Sequence, residues 1–219
     1  MLPKTDQNKF LVSIIKDYTK NRLEEFRQYM LEIESKFDTD KSFLSKYYDE
    51  AINGLSEEEI REVNDYLSDD YYIIEEVNVS LHRKSILVSI YSFLENSMNS
   101  LCRHSHAIHK YPVKVDDLKG EGIVRAKNYI EKLASVDFST LNQEWSHLMA
   151  LNKIRNCIVH SEGDVTNPKS SSQLANIINN NNGLSLKDNR YIKIEKEFID
   201  SCIDIIENFI ENLYQQVFK

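Results

Sequence analysis

The chain of 219 residues is poor in the residues that interrupt regular secondary structure, with five glycines and three prolines. A fold of many short strands needs frequent turn signals, so this scarcity argues against a multi-stranded β protein and favours long helices. Hydrophobic residues make up 41% of the chain and charged residues 28%, as in ordinary globular proteins. The length fits one large domain, or one domain with an appendage, and is sufficient for a substantial core.

Cysteine is also scarce. Cys102, Cys157 and Cys202 lie far apart, and the chain contains no CxxC motif and no Cys/His cluster. This spacing argues against a zinc site, so we expect reduced, partly buried thiols of a cytoplasmic protein. Neither a metal nor another cofactor is therefore expected.

Long apolar runs and a positive net charge are missing as well. No run reaches the roughly 18 apolar residues of a membrane span, and the N-terminal sequence MLPKTDQNKF has no signal-peptide core. The net charge of −8 argues against a nonspecific nucleic-acid-coating protein, which would be basic. It does not exclude a nuclease whose cleft carries a local positive potential. The sequence lacks a phosphate-binding glycine loop, a GxSxG elbow and a paired acidic metal box.

Apolar residues recur at helical spacing through most of the chain, which predicts an all-α, up-and-down bundle of long antiparallel helices. The predicted helices cover residues 6–37, 41–52, 73–109, 123–133, 145–163 and 195–218. The sequence SEEE at Ser56–Glu59 is a capping box that starts a further helix. Residues 66–72 are either a join between helices or part of one very long helix. We place residues 1–68 in an N-terminal helical part, packed on or extending the bundle, and residues 69–219 in the principal domain.

Two short segments late in the chain have strand character. LSL at Leu184–Leu186 and YIKI at Tyr191–Ile194, separated by KDNR, predict a small β-hairpin, and an irregular loop is the alternative. The polar stretches Asp164–Ser172 and Asn179–Gly183 predict exposed loops.

The stretch WSHLMALNKIRNCIVHSEG, residues 145–163, predicts the amphipathic helix that organises the chain. At about 100° per residue, Arg155 falls in the middle of the apolar arc, and Asn156 and His160 share one edge of it. An unpaired buried charge costs on the order of several kcal/mol. Arg155 therefore needs a carboxylate, a partner subunit or an anionic ligand.

Arg155, the polar Asn156, three further residues and His160 at the end of a helix resemble the signature of the HEPN superfamily. The resemblance extends over residues 66–219, because a long helix containing SILVSIYSFLENSMNSLCR precedes the motif and an apolar helix follows it. Many HEPN proteins are metal-independent ribonucleases that act as homodimers, and many serve as toxins or phage-defence effectors. The resemblance thus implies a cytoplasmic endoribonuclease with RNA as substrate, a homodimer, and an antitoxin or defence-system protein as partner.

The resemblance also assigns roles to residues. Arg155 and His160 from both subunits are expected to line one composite cleft, with Asn156 orienting His160 or the phosphate. Attack by the RNA 2′-hydroxyl leaves a 2′,3′-cyclic phosphate, and no metal is needed. Glu95 is expected either to support Arg155 by pairing with it or to lie at the solvent edge.

Two further cations, Arg103 and Lys153, are weaker candidates for contacts with RNA phosphates. One position departs from the family pattern. Toxins silenced by a nucleotidyltransferase antitoxin carry a tyrosine two residues after the histidine, where this chain has Glu162. Control by AMPylation of such a tyrosine is therefore not supported.

Two other functions stay open. The first is a catalytically silent HEPN-like scaffold or regulatory subunit that binds a protein partner. The second is an unrelated acidic helical adaptor in which Arg155 forms a buried ion pair with Glu95.

Overall fold

Seven α-helices and one β-hairpin form the described part of the chain, which in this computed structural model comprises residues 4–166 and 171–218. The elements are α1 (Lys4–Ala51), α2 (Glu57–Tyr72), α3 (Val79–His109), α4 (Gly122–Leu133), α5 (Asn142–Ser161), α6 (Ser171–Asn179), β1 (Leu184–Lys187), β2 (Tyr191–Ile194) and α7 (Lys196–Val217). The predicted all-α bundle with one small hairpin is confirmed. The hairpin is antiparallel, with Leu184 opposite Ile194 and Lys187 opposite Tyr191.

Helix α1 is continuous, whereas the apolar spacing predicts two helices with a break before Lys41. No glycine or proline stands in this region to stop a helix. Leu44, 8% exposed, and an ion pair from Lys41 to Glu75 hold the C-terminal half of the helix in place. Asp38 and Thr39, in the gap between the two predicted helices, are exposed on α1.

The predicted capping box at the start of α2 is present. The Glu59 carboxylate accepts from the Ser56 amide at 2.8 Å, and the Ser56 hydroxyl accepts from the Glu59 amide at 3.5 Å. A π-helical segment, Ile73–Asn78, joins α2 to α3 without leaving the helical path. Helical backbone therefore runs from Glu57 to His109, so residues 66–72 belong to one very long helix rather than to a join.

Helix α3 is the centre of the bundle and packs against α1, α4, α5 and α7. A helix that is apolar on several sides is buried on several sides. Its buried apolar residues are Val79, Ile86, Leu87, Ile90, Tyr91, Phe93, Leu94, Met98, Leu101 and Cys102. Leu23 and Met30 of α1 are fully buried in the same core, so the first half of α1 is part of the bundle. The predicted domain boundary after residue 68 falls within α2.

The three cysteines are free and buried, as expected for reduced thiols. Burial raises the pKa of the Cys102 and Cys202 thiols to about 12. No helix in the described ranges combines the length and the apolar character needed to cross a membrane.

Arg83 on α3 joins three parts of the bundle. Its Nε and Nη2 donate to the two carboxylate oxygens of Glu34 on α1, at 2.7 and 2.9 Å. Its Nη1 donates to the Glu195 carboxylate at 2.5 Å and to the Ile194 carbonyl at 3.1 Å. The side chains of Arg83 and Glu34 are only 13% and 12% exposed. This network ties α1 and the hairpin to the central helix.

We expect Arg83→Met to lower the free energy of unfolding by about 3 kcal/mol, because it leaves the poorly solvated Glu34 carboxylate without its cation. Chemical denaturation followed by circular dichroism measures the loss. Arg61→Met, at an exposed position on α2, is the control and should change stability by less than about 0.5 kcal/mol.

The same experiment has a pH arm. Burial raises the pKa of Glu34, but the hydrogen bonds and charge of Arg83 outweigh it, so the pKa is lowered from 4.5. A carboxylate with a lowered folded-state pKa stabilises the fold above its unfolded pKa and loses that effect as pH falls. In Arg83→Met the raising effect of burial on the pKa of Glu34 is no longer opposed by Arg83, so the difference between wild type and variant should be full at neutral pH and shrink as the pH falls toward and below 4.5. A difference that persists undiminished in acid would rule out the ion pair as its source.

Candidate functional site

Helix α5 ends in a tight turn directly after His160. Glu162 adopts left-handed backbone geometry with φ of 54°, and Gly163 follows with φ of 89°. Such φ values are strained for most residues and easy for glycine, which explains why the helix stops here, as predicted. The Gly163 amide donates to the Cys157 carbonyl at 3.1 Å and closes the turn.

The hairpin and α3 hold this turn in place. The Ile192 amide donates to the Gly163 carbonyl at 2.9 Å, and the Val165 amide donates to the Arg190 carbonyl at 3.0 Å. The Arg190 guanidinium donates to the Asp164 carboxylate at 2.7 Å and, with the Thr166 hydrogen bonds, lowers the pKa of Asp164 to about 2. From α3, the Lys84 ammonium donates to the Glu162 carbonyl at 3.1 Å. The segment that follows His160 is thus fixed from two sides.

A chain of polar side chains leads from the core to the surface of α5. Asn152 Nδ2 donates to the hydroxyl of Tyr91, which is 2% exposed on α3. Asn156 Nδ2 donates to Asn152 Oδ1 at 3.0 Å, and Arg155 Nη1 donates to Asn156 Oδ1 at 2.9 Å. The Arg155 guanidinium lies 5.4 Å from the centre of the Tyr91 ring. The buried tyrosine therefore positions both amides and the arginine.

The phenol of Tyr91 stays protonated in this chain. Burial raises the pKa of Tyr91, with a smaller contribution from the Glu95 charge. The Asn152 hydrogen bond and the Arg155 charge oppose that rise without cancelling it. A neutral phenol oxygen is the acceptor that fixes the Asn152 amide.

Arg155 is half-buried, and within the described ranges it forms no ion pair. Its Nε is buried without a hydrogen-bond acceptor. Of the two roles considered for Glu95, the ion pair with Arg155 is not formed among the described residues, and Glu95 is partly exposed. The Glu95 carboxylate lies instead 3.7 Å from the point where a Cβ on Gly122 would be, at the first residue of α4. The N-terminus of α4 is the positive end of the helix dipole and favours a carboxylate. This interaction accounts for the position of Glu95 without Arg155.

His160 and Asn156 share a pocket of about 280 Å³, in agreement with their predicted common face. The pocket is lined by Lys153, Asn156, Cys157, His160, Ser161, Asp164, Gln173 and Leu174. His160 and Asn156 are exposed, and Lys153, one of the two weaker RNA-binding candidates, lies in the same wall. Val159 is 46% exposed beside them, although it belongs to the apolar arc of the helix.

The other weaker candidate, Arg103, lies far from this pocket. It is exposed on α3, twelve residues beyond Tyr91, which is roughly 18 Å along the helix axis. The nearby His104 lines a larger concavity of about 600 Å³ between α1, α3 and α7. That concavity holds none of the residues of the predicted motif, so the smaller pocket is the candidate site. Among the described residues, no group of His, Cys, Asp and Glu is arranged to hold a metal ion.

Four residues at the site were not found from the sequence. Tyr91 and Asn152 support the arginine, Lys84 fixes the turn, and Gln173 on α6 closes the pocket. Helix α6 itself was missed, although Leu174, Ile177 and Ile178 have helical spacing after a run of serines.

The chain matches no protein-family model, no curated protein and no solved structure in the comparisons made. The chemistry of the site therefore has to be argued from its own residues. They combine a fixed guanidinium that keeps unused donors, an exposed imidazole five residues later, and a pocket that is lined by the imidazole and by Asn156, the hydrogen-bond partner of the guanidinium. Such a set can hold a phosphate and move a proton at neutral pH.

Proposed function

We propose that this chain is a HEPN-type, metal-independent endoribonuclease that acts as a homodimer. The observation that carries the proposal is the half-buried Arg155, whose Nε lacks an acceptor and whose charge has no carboxylate partner in the described ranges. A half-buried cation without a carboxylate partner is stabilised when an anion from outside the chain binds to it. The exposed His160, five residues later on the same helix, supplies a group for proton transfer.

The reaction follows from the chemistry of RNA. The 2′-hydroxyl loses its proton to one imidazole, and its oxygen attacks the neighbouring phosphorus. The bond from phosphorus to the 5′-oxygen breaks, and that oxygen takes a proton from a second, protonated imidazole. The guanidinium of Arg155 stabilises the extra negative charge on the phosphate oxygens. The products are a 2′,3′-cyclic phosphate and a 5′-hydroxyl.

The need for two imidazoles supports a dimer. Each chain has one histidine in this pocket, and a two-fold axis near it would supply both the base and the acid. The outer face of α5 suits such an axis, because Asn156, Val159 and His160 are exposed side by side there. We further propose a cytoplasmic toxin or phage-defence effector, controlled by an antitoxin or another protein of the same defence system.

A catalytically silent scaffold is the second candidate. The Glu162 carboxylate follows His160 by two residues and opposes the approach of a phosphate. In that case the chain dimerises or binds its partner without turnover of RNA.

Wild-type protein is expected to cleave total RNA or tRNA in the presence of EDTA and to leave 2′,3′-cyclic phosphate ends. The mechanism uses only protein side chains and the substrate's own 2′-hydroxyl, so chelation should not reduce the rate. Mapping of the product ends is the measurement, and an RNA with 2′-O-methyl groups is the uncleavable control. Products with 3′-hydroxyl ends, or loss of activity in EDTA, would contradict the mechanism. No cleavage, together with a stable dimer, would favour the scaffold.

A further inference from the structure

The pocket beside His160 has the properties of a ligand site. Its volume of about 280 Å³ is close to the lower end, about 300 Å³, of small-molecule sites in proteins. Its apolar floor includes Cys157 and Leu174, which are 8% and 2% exposed. Its rim is polar and includes Lys153, His160 and Gln173. An apolar floor under a polar rim suits a flat, partly polar ring such as a nucleobase.

Gln173 presents a hydrogen-bond donor to this pocket. The Lys153 ammonium donates to Gln173 Oε1 at 2.9 Å, and this bond links α5 to α6. Because an ammonium has no acceptor, the amide oxygen must face Lys153, which leaves the Nε2 group for a ligand. The bond to Lys153 therefore favours the orientation of the amide in which Nε2 is left for a ligand.

The one carboxylate in the pocket wall is already engaged. Asp164 Oδ1 accepts from the Thr166 amide at 2.9 Å and from its hydroxyl at 2.6 Å. Asp164 Oδ2 accepts from Arg190 Nη2 at 2.7 Å and from its Nε at 2.9 Å. The groups that remain for a ligand are therefore mainly donors, from Gln173, Lys153 and Ser161.

From this arrangement we infer that the pocket binds the base of the nucleotide next to the scissile phosphate, and that Gln173 selects bases with a carbonyl oxygen. Uracil and guanine present a carbonyl oxygen where cytosine and adenine present an amino group. A donor on the protein can hydrogen-bond to the carbonyl oxygen of uracil or guanine. Against cytosine or adenine it would face the amino group, which is also a donor, and no bond would form. Since His160 and Asn156 line the same pocket, a base bound there brings its phosphate to them. The inference rests on the proposed ribonuclease function.

Gln173→Glu is the test. The carboxylate has nearly the same shape and still accepts from Lys153, but it offers an acceptor where the amide offered a donor. We expect the ratio of cleavage at uracil and guanine to cleavage at cytosine and adenine to fall by about tenfold or more. Mapping cleavage sites on an RNA that contains all four bases equally gives the ratio. Gln143→Glu makes the same change in the first turn of α5, far from the pocket, and should leave the ratio unchanged.

The outcomes separate this inference from the function on which it rests. An active Gln173→Glu enzyme with the wild-type ratio would overturn the base pocket and leave the ribonuclease intact. If wild type cuts no RNA, binding of 3′-UMP, 3′-AMP and uncleavable 2′-O-methyl oligonucleotides decides the matter. Preference for uracil over adenine in the oligonucleotides, lost in Gln173→Glu, would support the pocket. Binding of free nucleotides alone, or no preference, would overturn it.

Discussion

Replacing His160 with alanine is expected to lower the rate of RNA cleavage by about 10²- to 10⁴-fold, the usual effect of losing a group that transfers a proton. The side chain is exposed and lies after the last buried residue of α5, so no core contact is lost. The free energy of unfolding should therefore stay within about 0.5 kcal/mol of the wild-type value. Single-turnover cleavage and chemical denaturation measure the two effects on the same preparation.

His147→Ala is the matched control for this experiment. His147 is also exposed on α5, near the opposite end, and its ring bonds to the Gln143 carbonyl at 2.9 Å. Its loss should leave cleavage unchanged. Added imidazole should restore part of the activity of His160→Ala, because a missing proton carrier can be replaced from solution and a missing structural contact cannot. A His160→Ala protein that cuts RNA at the wild-type rate would refute the assignment.

The sequence predicted the elements around the site better than it predicted their contacts. The spacing of Leu148, Leu151 and Ile154 predicted α5, and these three residues are 0–2% exposed. The alternation in YIKI predicted β2, where Ile192 and Ile194 are buried. These patterns are local, since they depend only on the period of a helix or a strand.

The long helix α1 shows where local patterns mislead. The predicted helices leave a gap at residues 38–40, yet α1 passes through them without interruption. Its continuity depends on contacts such as Lys41 with Glu75, thirty-four residues later. Nothing in the sequence near Lys41 indicates this partner. Helix α6 was missed for a related reason, because its nine residues are too few for a clear periodic signal.

The partners of Arg155 were the least predictable feature. The sequence placed Arg155 and Glu95 on helices of the same bundle, and it left open whether the two charges pair or Glu95 lies at the solvent edge. In the structure the arginine lies over Tyr91, one helical turn before Glu95, and the glutamate lies at the start of α4. One turn along α3 is about 5.4 Å. This distance decides whether Arg155 pairs with Glu95 or lies over the ring of Tyr91. Sequence periodicity identifies a helix face but does not resolve a single turn on it.

Arg155→Met is expected to lower the cleavage rate by about 10²- to 10³-fold, as the loss of a group that stabilises transition-state charge does. The same change should keep or raise the free energy of unfolding, because the arginine is half-buried and has no carboxylate partner in the described ranges. Removing this uncompensated cation removes its desolvation cost, which stabilises the fold. The same change loses the cation–π contact with Tyr91, which stabilises the fold by about 0.5–1 kcal/mol. Arg155→Lys keeps the charge but not the planar fork, so it should recover only part of the rate.

The contrast between two identical substitutions makes this prediction sharp. Arg83→Met removes a cation that bonds to Glu34 and Glu195, and it should cost stability. Arg155→Met removes a cation whose counterion is expected to be the substrate, and it should cost activity. An adaptor protein stabilised by an Arg155–Glu95 pair predicts the reverse, with Arg155→Met and Glu95→Gln both destabilising by about 3 kcal/mol. If Arg155→Met lost stability but cleaved RNA at the wild-type rate, Arg155 would have a structural role in the bundle and no role in catalysis.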